Sequence, residues 1–193
     1  MSRLIGLVLS LMSLGCATND RNTAGQSERV GAEDERVRRD SVLRAASTWI
    51  EVELPRLAHH RSQMDFVGFR SVLYADRVDS ARVRDCTIVL FKTEESLIER
   101  RLRINARLGG VDLLGINLDQ VRSTESLVYE ESLWRLRVRM RSSDSTTVQE
   151  PPDEPYYRGT FFVIPVQDVQ SGNRIAKALT DAARACGADP STY

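Results

Sequence analysis

The chain has 193 residues, its 27 Lys and Arg balance 27 Asp and Glu, and 41% of its residues are hydrophobic. That is enough apolar material for one compact domain, and the lack of a basic excess argues against a nucleic-acid-binding protein. Lys92 and Lys177 are the only lysines, so the abundance of arginine is read as background rather than as a sign of function.

The first feature in chain order is Arg3, followed by an apolar run from Leu4 to Leu14 interrupted only by Gly6, Ser10 and Ser13. A membrane-spanning helix needs roughly 20 apolar residues. A basic start, a shorter apolar stretch and small residues at its end describe a secretory signal. The run closes as Ser13-Leu14-Gly15-Cys16, which resembles the lipobox of bacterial lipoproteins, with Ser13 and Leu14 in the reverse of the usual order. The resemblance implies a signal peptide over residues 1–15, cleavage before Cys16 and attachment of diacylglycerol to that cysteine. It also implies a cell-envelope location, and Ala17 in place of Asp after the cysteine implies the outer membrane, facing the periplasm. Beyond Cys16, Ala17 to Glu35 holds almost nothing apolar except Val30. Such a segment buries too little surface to fold, so residues 16–35 are expected as a flexible tether of roughly 25 Å.

A single α+β domain is expected over residues 36–187, with 188–193 as a tail. Leu43, Ala46, Ile50, Leu54 and Leu57 recur at spacings of three and four, with Val42 and Trp49 broadening the stripe, which predicts an amphipathic helix. Pro55 should kink or end it, leaving Arg56 to Arg61 as a loose end that carries the only histidines, His59 and His60. Adjacent residues on a helix point in different directions, so this pair reads as solvent-facing and not as metal ligands.

From Phe66 onward the period changes to two, weakly over Phe66 to Tyr74 and clearly over Cys86 to Phe91, where Cys86, Ile88 and Leu90 share a face. In Arg101 to Leu108 and again in Trp134 to Arg141, apolar residues alternate with polar ones, mostly arginine, giving strands with one buried and one wet face. Val111 to Leu118, Leu127 to Glu131 and Phe161 to Val166 are further expected strands. Ser142 to Tyr157, with Pro151, Pro152 and Pro155, is expected as a long exposed loop. Asp168 is suited to cap a closing helix that carries Ile175, Ala176, Leu179, Ala182, Ala183 and Cys186 on one side until Gly187 ends it. Consecutive strands between an N-terminal and a C-terminal helix give an α+β class. Over roughly Phe66 to Gly187 the pattern resembles a pleckstrin-homology-like barrel capped by its last helix, and an open antiparallel sheet with two packed helices fits the same pattern.

If Cys16 carries lipid, Cys86 and Cys186 remain to form a disulfide, as an exported chain allows. The inner face of a strand is where Cys86 would meet the helix. No Gly-x-Ser-x-Gly elbow, Gly-rich phosphate loop with Lys, His-Glu-x-x-His or calcium loop occurs in the sequence, and no cofactor is implied. Glu94-Glu95 and Glu130-Glu131 read as solvated turns. The arginine rows Arg101, Arg103, Arg107 and Arg135, Arg137, Arg139, Arg141 would form one cationic surface if their strands shared a sheet, and guanidinium groups suit phosphates and carboxylates. Nearby Glu99, Glu125, Glu130 and Glu131 would neutralise them across strands. The leading expectation is therefore a membrane-anchored, noncatalytic lipoprotein whose domain binds or scaffolds an envelope partner. An anionic-ligand module using the strand arginines is the alternative, and a carboxylate-based periplasmic hydrolase comes third.

Overall fold

The computed structural model describes residues 21–64, 72–95, 99–122, 130–143, 146–150 and 154–192. The chain divides into two compact units, Met1–Arg36 and Val37–Tyr193. Helix α1 covers Arg21–Leu57, so the described part of the first unit is helical where a coil was expected over residues 21–35. Ala24, Gln26, Glu28, Glu33 and Glu35 all lie in that segment, and Ala, Gln and Glu favour helix. From Gly31 to Ser41 its side chains are exposed.

In the larger unit α1 ends near Pro55, and Ala58 is buried at the turn into strand β1, His59–Met64. His59 and His60 thus lie on a strand and not on a loose helix end. Strand β2 spans Val72–Arg84, β3 Thr87–Glu95 and β4 Glu99–Arg107. Of the expected weak strand over Phe66 to Tyr74, residues 66–71 lie outside the described residues. The full length of β2 was hidden because a bulge between Val78 and Ser80 breaks the alternation. Asp76 and Val78 face inward before the bulge and Ala81 after it, so no single period of two runs through the strand.

A short 3-10 turn, Leu108–Gly110, leads into β5, Val111–Arg122. Strand β6 covers Glu130–Met140, so Glu130 and Glu131 open that strand. Residues 127–129, the start of the separate strand expected there, lie outside the described residues. The stretch expected as an exposed loop contains β7, Thr146–Glu150, and β8, Glu154–Arg158, paired as an antiparallel hairpin. Pro155 is tolerated because β8 is outermost in its sheet, where one edge of the strand needs no ladder partner. Strand β9 is Phe161–Pro165, helix α2 Val169–Ala185, and β10 Ser191–Thr192.

The strands form two sheets, ordered β1-β2-β3-β4-β7-β8 and β10-β5-β6-β9. Among the described residues the pairings are antiparallel except that of β10 with β5. With two helices at the ends of the strand series the architecture is α+β. Strand β9 lies beside β1 and β2, and α2 packs on β5, β6 and the 3-10 turn. One core joins both sheets and both helices through Ile50, Leu54, Ile88, Leu90, Leu114, Leu136, Ile164, Ile175 and Leu179. Each contributes about 1.5 to 3 kcal/mol by leaving water. The spacing that predicted α2 holds in detail. Asp168 Oδ1 accepts from Ser171 N at 2.7 Å, Ile175, Leu179, Ala182 and Ala183 are buried, and Gly187 follows at φ +86°.

Candidate functional site

Cys86 and Cys186 form a disulfide with Cα atoms 5.7 Å apart, across a sequence separation of 100. Its placement differs from the expectation of a strand face. Asp85 and Cys86 are the two turn residues of the β2–β3 hairpin, flanked by the Arg84 and Thr87 pair and both at positive φ, 47° and 58°. Two-residue hairpins favour such primed turns because their twist matches that of the strands. Leu108 N donates to Cys86 O at 2.8 Å, and Cys186 is the C-cap of α2. The bond therefore ties the hairpin tip to the end of the last helix. Gly109 fits beneath that junction, since a Cβ there would stand 2.8 Å from Cys186 O.

The arginine rows do not form one sheet surface. Arg101, Arg103 and Arg107 belong to β4 in the six-stranded sheet, while Arg135, Arg137 and Arg139 belong to β6 in the four-stranded one, with Arg141 just past its end. Strands β4 and β6 are separated because the 3-10 turn passes the chain from one sheet to the other. Several of these arginines are engaged. Arg101 Nε lies 2.8 Å from Glu99 Oε1, and Arg139 donates from Nε and Nη2 to Asp112 Oδ2 at 3.0 and 2.7 Å. The Arg103 guanidinium stacks 5.8 Å from the Phe91 ring centre, and that of Arg137 5.4 Å from Phe161. His59 exchanges a hydrogen bond with the Gln167 side chain. Cys16 lies outside the described residues.

The most unusual chemistry is on the inner face of the six-stranded sheet, and sequence reasoning missed it. Lys92 is 6% exposed and Asp76 1%. Lys92 Nζ lies 3.0 Å from Asp76 Oδ1 and 2.9 Å from Glu94 Oε1, and Asp76 and Glu94 are register partners on β2 and β3. Burial pushes the Asp76 carboxyl up, further than the Lys92 charge and its hydrogen bond pull it down. For Lys92, burial pulls the ammonium down, but the charges of Asp76 and Glu94 and their hydrogen bonds outweigh it and raise it. Burial alone would lift Glu94, yet Lys92, with Arg100 and Arg135 beyond it, holds it below its ordinary value. Lys92 is thus kept charged between two carboxylates. That suits a cross-strand brace and not a nucleophile, whose amine must shed its proton near neutral pH.

Glu94, read from sequence as part of a solvated turn, is partly buried in this brace. The one signal that could have found it is Lys92 itself, a lysine in a chain that otherwise uses arginine almost throughout. On the opposite face Thr93 Oγ1 donates to Asp79 Oδ2 at 2.6 Å, and Arg77 bridges Asp79 and Glu95. Among the described residues no cluster of three His, Cys, Asp or Glu could hold a metal, and no helix is long and apolar enough to cross a membrane. No family model, curated protein or solved structure matches the chain.

Proposed function

We propose that this chain is a bacterial envelope lipoprotein, anchored through lipid on Cys16 to the outer membrane and facing the periplasm, whose α+β domain is a noncatalytic binding or scaffolding module. The observation that carries the reading is the division of the three cysteines. Cys86 and Cys186 pair with each other, which leaves Cys16 alone, at the end of an apolar run with a basic start and a lipobox-like close. A long-range disulfide belongs to oxidising compartments, the destination such a leader serves. The noncatalytic half is supported by the brace of Asp76, Lys92 and Glu94, in which the one buried ammonium is held between two carboxylates. Metabolic labelling with a palmitate analogue tests the anchor. The wild-type chain should take up label and sediment with outer membranes, and Cys16→Ser should do neither. Unlabelled wild-type protein in the soluble fraction would contradict the reading.

A further inference from the structure

Helix α1 has more apolar surface than its core-facing side uses. Ala46, Ile50 and Leu54 are buried in the core and half-buried Trp49 packs against it, while Val42, Ala45 and Val52 continue from Trp49 as a second, exposed stripe at spacings of three and four. Val42 is 40% exposed and Val52 49%. A groove of about 520 Å³ runs beside this stripe, with Val42, Ala45 and Trp49 on one wall and Arg174, Lys177 and Asp181 of α2 on the other. The Arg174 guanidinium lies 5.8 Å from the Trp49 ring centre. A guanidinium can stack on an aromatic face and still present its edge to an incoming carboxylate.

The charges along the groove and stripe are mixed with cations in excess: Lys177 is paired to Asp181 and Arg56 to Glu53, which leaves Arg38 and Arg174 to meet an incoming carboxylate. Arg38, four residues before Val42, and Arg56, four after Val52, extend the stripe at either end, and helical spacing places them on the same face. With Arg174 and Lys177 they make four cations, against Glu53 beside Arg56 and Asp181 beside Lys177. We propose that this groove docks an amphipathic helix of a partner protein whose apolar stripe is flanked by carboxylates, the helix-in-groove mode of recognition. A second copy of α1 fits poorly. Laid antiparallel it would bring Arg38 against Arg56, and laid parallel Arg38 against Arg38. A bilayer is also anionic, but it is flat and would leave the concave space between the helices unfilled.

The proposal rests on the binding half of the functional reading and not on the lipid anchor, so either can fail alone. The test uses the mature chain and fluorescein-labelled synthetic helices, one with Leu at the a and d positions and Glu between, the other identical but with Lys for Glu. Anisotropy should show saturable binding of the Glu peptide, weakening as salt is raised, and none of the Lys peptide. Arg174→Glu should weaken it about tenfold or more, and Val42→Asp should abolish it with an unchanged melting temperature. Leu118→Ser, an exposed site on β5, should leave it intact. Equal binding of both peptides, no binding of the Glu peptide, loss of binding in Leu118→Ser, or binding only to anionic vesicles would overturn the proposal. Concentration-dependent dimerisation abolished by Val42→Asp would overturn it too.

Discussion

Lys92 is the side chain on which the interior depends most sharply. Removing one partner of a buried ion pair leaves the other charged and unsolvated, which costs about 3 to 5 kcal/mol. Lys92→Met is expected to lose about that much in urea unfolding, and Asp76→Leu combined with Lys92→Met should recover most of it. A single mutant within about 1 kcal/mol of wild type would show that the brace is not coupled as its distances imply. The raised Lys92 contributes stability that is fully present below the ordinary lysine range and is lost as pH rises through its folded value. The lowered Glu94 contributes stability present above its ordinary 4.5 and lost as pH falls through its folded value. Asp76, raised, works the other way on the acid side: its contribution is present at low pH and fades as pH rises through its folded value. Glu94→Gln should therefore flatten the acid-side fall in stability, a slope that pH-dependent unfolding reads directly. Apart from the rarity of lysine in this chain, the sequence carries no sign of the brace. A charge on an inward-facing strand position looks like a break in the apolar period, and its partner lies across the sheet.

Hairpins, caps and turns carry the next set of expectations. Gly109→Ala places a methyl against a backbone oxygen that cannot rotate away and should cost about 1 to 3 kcal/mol. Gly172→Ala meets the tip of the Ile116 side chain at 2.9 Å, which can turn aside, so its loss on thermal unfolding should be smaller. Asp168→Ala removes the α2 cap and should lower the melting temperature at neutral pH. The depressed Asp168 carboxyl contributes above its ordinary range, so the gap to wild type should close as pH falls through its folded value. Helix α2 was readable because its cap, its apolar spacing and Gly187 are all local signals. Strands β4 and β6 were readable because arginine alternates with apolar residues along them. The β7–β8 hairpin was not, since Pro155 argues against a strand unless one knows that the strand is an edge. Cys86 was misplaced because a turn with positive φ at both Asp85 and Cys86 carries no glycine to announce it.

At the level of the molecule, the disulfide closes the chain between the β2–β3 hairpin and the end of α2. On the loop-entropy model a bond over a separation of 100 adds up to about 4 to 5 kcal/mol, comparable with the whole stability of many domains. With Cys16 set aside for lipid on the lipobox resemblance, elimination indicated the pairing, but the division into two sheets depended on which strands the 3-10 turn separates. That same division takes the arginine rows apart, which sequence reading could join only by assuming a shared sheet. The central claim, an exported and lipid-anchored chain locked by one disulfide, is tested most directly by intact mass. The protein would be purified in detergent from a bacterial host and alkylated with and without prior reduction. The account expects a mass of Cys16 to Tyr193 plus lipid, with Cys86 and Cys186 alkylated only after reduction. A lipid-free chain cut elsewhere, or thiols alkylated without reduction, would contradict it.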